Sequence, residues 1–167
     1  MAHKNLPTMH SSIDDLDFKI LHQLQQDGRK SFTDIAKDLN VSVGTIRNRV
    51  TRLLDDETLR VIGMVDPNQI GFHSYANILI KVQPVEVVEE VSKAISEIPE
   101  VSFLALISGE HDLEVHVQCR DNDHLIELMN NKVFALKGVS STKTQMYFKV
   151  VKIAQPDRYA LILRSGI

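Results

Sequence analysis

The 167-residue chain has one cysteine, Cys119, so neither an internal disulfide framework nor a thiolate metal site is available to it. It lacks any apolar run long enough to cross a bilayer, and residues 1–12 lack the apolar core of a signal peptide. The expectation is a cytoplasmic protein. No phosphate-binding glycine loop, nucleophile elbow or paired-carboxylate motif occurs, which argues against an enzyme and against a bound cofactor. Excess positive charge is missing too: 19 Lys and Arg stand against 22 Asp and Glu, a net charge of −3. That excludes a general nucleic-acid coat and leaves such a contact to a local patch.

What is present is an ordinary globular balance, 43% apolar and 25% charged, in a chain long enough for one medium or two small domains. The most informative stretch is residues 31–54, SFTDIAKDLNVSVGTIRNRVTRLL. Ser31 is placed to cap a helix, with Asp34 three positions on. Ile35, Ala36 and Leu39 form its apolar stripe, and Asn40 tolerates the left-handed backbone of a sharp exit. Ser42 caps a second helix, in which Ile46, Val50 and Leu53 recur at i, i+4 and i+7. Two capped helices joined by a tight turn are the signature of a helix-turn-helix.

With those apolar residues inward, Gly44, Thr45, Asn48, Thr51 and Arg52 point outward, and Arg47 and Arg49 sit on the flanks. Ser42, Thr45 and Asn48 are candidates for base or backbone contacts in double-stranded DNA, and Arg47, Arg49 and Arg52 for phosphate or guanine. Residues 14–63 still hold eight cationic against nine acidic side chains, so a multivalent assembly suits DNA better than a monomer. A solvated helix packed only on its neighbour has the same periodicity. A helix-turn-helix used purely as a dimer contact is a further reading, opposed by three arginines within six residues.

Around this stretch, residues 1–12 read as a polar arm. A first helix starts at Asp14 or Asp15, buries Leu16, Ile20, Leu21 and Leu24, and ends near Asp27 and Gly28. The helix-turn-helix domain spans residues 13–58, and residues 59–74 read as a linker strand. Residues 75–153 then give strand YANILIKV, a helix opened by Pro84, strands VSFLALIS and LEVHVQC, a helix capped by Asn122 or Asp123 and stopped by Gly138, and a long last strand, VSSTKTQMYFKVVKI. The order βαββαβ is ferredoxin-like, so the fold class is α+β. Its open face and edges suit a homo-oligomer. Residues 154–167 form a tail with an apolar YALIL that has no assigned place.

The motifs IDDLDFKIL, LQQDGRKS, DIAKDLNVSVGTIRNRVTRL, VDPNQIG, SGEHDLEV and GVSSTKT together resemble the Lrp/AsnC family of feast/famine transcriptional regulators over nearly all of residues 13–153. The resemblance implies a DNA-binding regulator whose C-terminal domain dimerises, often assembles four dimers into an octamer, and binds a free amino acid between dimers. It places the recognition helix on residues 43–54 and the family's recurrent arginines on Arg49 and Arg52. The effector loop falls on Ser108, Gly109, Glu110, His111 and Asp112, and the paired threonines on Thr142 and Thr144. Two positions depart. Glu57 stands where the family has glycine, and since a left-handed non-glycine residue costs ~1 kcal/mol, a different helix exit is expected. Glu110 and His111 replace an Asp-Tyr pair, which changes the pocket's shape and polarity.

On chemistry alone, Gly109 permits close backbone approach and tight-turn N–H groups can hold a carboxylate. Asp112 can pair with an ammonium, while Thr142 and Thr144 project on one side of a strand. A plain hairpin turn, with Asp112 bonded to its own backbone, fits the same residues. A metal constellation of His111, Asp112, Glu114 and His116 is the rival reading, though polar residues on the outer face of an amphipathic strand are the ordinary expectation. A constitutive or architectural DNA-binding protein with no effector response is the alternative.

Overall fold

The computed structural model describes residues 13–154 and residue 156. Chain contacts divide these residues at Gly63/Met64 and Ile153/Ala154 into two compact units. The expected N-terminal arm and the apolar tail motif lie outside the described residues.

The N-terminal unit is built from α1 (Asp15–Gln26), α2 (Phe32–Leu39) and α3 (Val43–Asp55). Each begins on a side chain that satisfies an otherwise orphan N–H. Asp14 and Asp17 form a reciprocal capping box on α1, with bonds of 2.9 and 3.2 Å. The Ser31 hydroxyl accepts from Asp34 N–H at 3.1 Å, and the Ser42 hydroxyl from Thr45 N–H at 3.0 Å. Asn40 ends α2 in the left-handed region at φ 54°, as its type and place led one to expect. Ile20, Leu24, Ile35, Ala36, Ile46 and Val50 form the core, and Leu53 is also fully buried.

Two expectations fail here. Glu57 does adopt the left-handed conformation, at φ 58°, and the exit of α3 is closed by a 2.8 Å bond from Leu59 N–H to the Leu53 carbonyl. Burying one Ile or Leu contributes roughly 1.5–3 kcal/mol, so the packed face of α3 outweighs a strain of about 1 kcal/mol at its end. The linker stretch from Leu59 to Val65 forms no strand. Val61, Ile62, Met64 and Val65 are exposed and no ladder pairs with them among the described residues. Strand propensity expresses itself only where a neighbouring strand supplies the other half of each hydrogen bond.

The C-terminal unit contains β1 (Ser74–Val82), α4 (Val88–Ser96), β2 (Val101–Leu106), β3 (Leu113–Cys119), α5 (Asn122–Leu128) and β4 (Val139–Met146). All pairings are antiparallel and the strand order is β2-β3-β1-β4, the ferredoxin-like arrangement. Alternation does the sorting: Ala76, Ile78, Ile80 and Val82 of β1 and Leu113, Val115, Val117 and Cys119 of β3 face the helices. They pack with Val91 and Ile95 of α4 and Leu125 and Leu128 of α5. The cap of α5 is Asp121 rather than Asn122 or Asp123, because Asp121 Oδ1 reaches His124 N–H at 2.8 Å. β4 stops at Met146 instead of running to Ile153. Met146 lies opposite Ala76, Tyr147 N–H still bonds the Tyr75 carbonyl at 2.9 Å, and β1 then runs out of residues to pair.

Gly138 (φ 103°) turns the chain into β4, and a Cβ there would lie 2.5 Å from Val87 Cγ2. Gly138→Ala is expected to destabilise the protein by more than the ~1 kcal/mol of left-handed strain alone. Glu57→Gly should stabilise it by about 1 kcal/mol. Urea unfolding of both variants checks the opposite signs; two midpoints equal to the parent's would contradict the account.

Candidate nucleic-acid interface and effector loop

Along α3 the inward stripe Ile46, Val50 and Leu53 is at most 3% exposed, which fixes the roll of the helix. Gly44, Arg47, Asn48 and Thr51 are exposed on the outer side. Arg47, Asn48, Thr51 and Arg52 line a shallow depression with Asp55 and Asp56 at the helix end. The other candidates are already engaged. Ser42 is the helix cap, and its hydroxyl lies 2.8 Å from that of the half-buried Thr45.

Arg52 is not the free outward cation that the helical projection implied. Its Nη2 bonds Asp17 Oδ2, and Arg49 Nη1 bonds Asp14 Oδ2 at 2.6 Å and both Asp17 oxygens at 3.2 Å. Asp17 is fully buried. The Asp17 N–H and, after it, the Arg49 guanidinium hold the Asp14 carboxyl below the usual carboxylate range. Conversely, the bond to Asp14 raises the Arg49 pKa further. The projection missed this because it treats a helix alone, whereas the carboxylates come from α1. A signal did exist: Asp17, Ile20 and Leu24 share one face at i, i+3 and i+7, so an acid occupies a core position.

In the C-terminal unit, the β2–β3 loop carries Ser108, Gly109 and Glu110 exposed and His111 and Asp112 half-buried. Gly109 has φ 118°, a backbone that only glycine adopts without strain. Ile107 N–H closes the loop onto the Asp112 carbonyl at 2.9 Å. Among the described residues no hydrogen bond engages the N–H groups of residues 108–111. Asp112 itself is tied down: its N–H bonds the Ile80 carbonyl at 2.9 Å, Oδ2 accepts from Val82 N–H at 2.8 Å, and Oδ1 from Lys81 Nζ at 3.1 Å. These bonds, the Val82 N–H foremost, hold its carboxyl below the usual range. The hairpin-turn reading had Asp112 bonding its own backbone; it bonds the neighbouring strand instead.

Thr142 and Thr144 lie opposite Ile80 and Ile78, on the same side of β4. Asp112 and Thr142 therefore flank the end of β1 from its two sides, about 10 Å apart at two strand spacings. The fold brings the loop and the first threonine to one end of the sheet; Thr144 lies two residues further along β4. Glu114 and His116 form a pair on the open face, 3.2 Å apart, with the Tyr75 hydroxyl 3.3 Å from the other imidazole nitrogen. Both Asp112 oxygens are taken by Lys81 and Val82 instead, and among the described residues no metal-binding group of three or more is found. A separate recess of about 320 Å³, lined by Phe72, Val101 and His124 among others, includes none of the loop residues. Among the described residues no helix is long and apolar enough to cross a membrane.

Comparison with known proteins follows the same division. The AsnC-type helix-turn-helix domain matches residues 13–54, and the Lrp/AsnC ligand binding domain matches residues 75–157. An HTH-type transcriptional regulator of Pyrococcus abyssi is 33% identical over 141 residues, covering 84% of this chain and 89% of its own. One from Methanocaldococcus jannaschii is 30% identical over 141 residues, covering 84% and 95%. Among solved structures, AsnC of E. coli superposes with a TM-score of 0.81 at 24% identity, covering 87% of this chain and 99% of its own. A transcriptional regulator from Neisseria meningitidis in complex with L-Met gives 0.80 at 19% identity, covering 89% and 99%.

The Asp112 contacts carry a pH signature. The folded pKa lies below the unfolded value of about 3.9, so the carboxylate's contribution is full above that value and is lost as pH falls through the folded pKa. The Val82 amide resonance should accordingly titrate with a midpoint below 3.9, and Asp112→Asn should abolish the titration. A midpoint at or above the ordinary carboxylate value would contradict the contact.

Proposed function

The chain belongs to the Lrp/AsnC family of transcriptional regulators, and from that premise we propose that it binds specific double-stranded DNA through the outer face of α3 as a homo-oligomer. The observation that carries this is the division of α3 into a dry stripe and a polar row of Arg47, Asn48 and Thr51 that is exposed among the described residues. Asn48 suits bidentate recognition of adenine and Arg47 suits phosphate. Thr45 extends the row toward the N-terminus of the helix, where Ser42 holds the cap. Dimers, and an octamer built from them, supply the repeated contacts that a chain of net charge −3 needs. Exposed apolar residues such as Phe103 and Leu106 on edge strand β2 and Met146 on edge strand β4 support assembly through the C-terminal unit.

The effector part of the proposal is that a free amino acid docks at the β2–β3 loop. The N–H groups of residues 108–111 receive its carboxylate, and Thr142 and Thr144 flank the site from β4. Ser108, Glu110 and His111 set its selectivity. Such a ligand acts by favouring one assembly over another, since equal affinity for both shifts nothing. The engagement of both Asp112 oxygens favours a second reading, in which that carboxylate is not free for a ligand's ammonium and the protein binds DNA constitutively.

Sedimentation and DNA titration with a panel of free amino acids separate the two: one amino acid that shifts both assembly and affinity establishes the effector, and no shift with any establishes the constitutive form. On the DNA side, Arg47→Ala should weaken binding to all sequences alike and lower the slope of log affinity against log salt by about one. An unchanged slope would remove Arg47 from the phosphate contacts.

A further inference from the structure

The capping box of α1 uses Asp17 Oδ2 for the Asp14 N–H, but capping alone does not explain why this carboxylate is fully buried and faces two arginines of α3. Two of the three arginines on α3 converge on it. Arg49 Nη1 is 3.2 Å from both Asp17 oxygens and 2.6 Å from Asp14 Oδ2, and Arg52 Nη2 bonds Asp17 Oδ2. Arg52 Nε is buried without a hydrogen-bond partner among the described residues, although the side chain as a whole stays 33% exposed. Two cations against two carboxylates make the cluster locally neutral. Arg47, in contrast, is exposed and makes no ion pair among the described residues.

We propose that Asp17 is a positioning and specificity-determining residue: it withholds Arg49 and Arg52 from the phosphate backbone, leaving Arg47 as the principal phosphate contact of α3. The inference rests on the DNA-binding reading above. Its physical content is a difference of affinities. An arginine free in solvent binds the phosphates of every sequence alike, so it raises non-specific binding as much as specific binding. Base readout by Asn48 and its neighbours then discriminates best when such contacts are few. The charge of Asp17 sets that number, because a guanidinium engaged by a buried carboxylate gives up more on moving to phosphate than one already in water.

The test compares the full chain with Asp17→Asn on two duplexes of equal length, one enriched from genomic fragments and one random, across a salt series. The variant is expected to bind random DNA more tightly, with a salt slope steeper by about one or more, and to lose several-fold in the ratio of specific to random affinity. An unchanged slope and ratio would overturn the inference while leaving DNA binding intact, and a wild type that binds neither duplex would sink the DNA-binding reading itself. If Asp17→Asn melts below the assay temperature, Arg49→Gln and Arg52→Gln answer the same question. Each is expected to keep the wild-type slope on random DNA, and a slope lower by about one for either would place that arginine on phosphate and overturn the proposal. Loss of packing alone would change affinity without moving the slope.

Discussion

A carboxylate shut away from water must find partners or give up its charge, and in this chain Asp17 finds two arginines on a neighbouring helix. That constraint reaches well beyond one ion pair. The same aspartate closes the capping box of α1 with Asp14, and Asp14 in turn takes Arg49. Start of α1, roll of α3 and disposition of two arginines are thereby coupled. Apolar packing by Ile46, Val50 and Leu53 orients α3 without direction about its charges; the carboxylates add that direction.

The C-terminal unit uses the same device on a strand. Asp112 follows a left-handed glycine and ties the β2–β3 loop to the end of β1 through one backbone N–H and one ammonium. Among the described residues the N–H groups of residues 108–111 have no hydrogen-bond partner, while the anchor holds the loop's base against Ile80, which pairs with Thr142 of β4. Helices cover one face of the sheet, and among the described residues β2 and β4 are its unpaired edges. Both units therefore present their polar groups from a fixed frame, a condition for selective binding by either.

Much of this frame was legible in residue order. Caps at Ser31 and Ser42, the left-handed exit at Asn40 and the alternation of LEVHVQC are local signals, and local physics decides them. What was not legible depends on partners remote in sequence. The run from Leu59 to Val65 reads as a strand but has no pairing partner among the described residues, and VSSTKTQMYFKVVKI reads as one long strand but loses its partner where β1 begins. Glu57 was judged by its own strain, whereas the packing of the preceding helix decided its conformation. Arg52 and Asp112 read as available for ligands in the sequence because a helix wheel or a strand pattern carries no record of a carboxylate or N–H arriving from elsewhere.

The central claim is that the outer face of α3 reads DNA sequence. Selection of genomic fragments by the purified full chain at physiological salt, followed by sequencing of the bound pool, tests it most directly. The account expects convergence on a repeated motif spaced by the helical turn, as an assembly of identical reading helices requires. Recovery of fragments in proportion to their abundance, at every protein concentration, would contradict it.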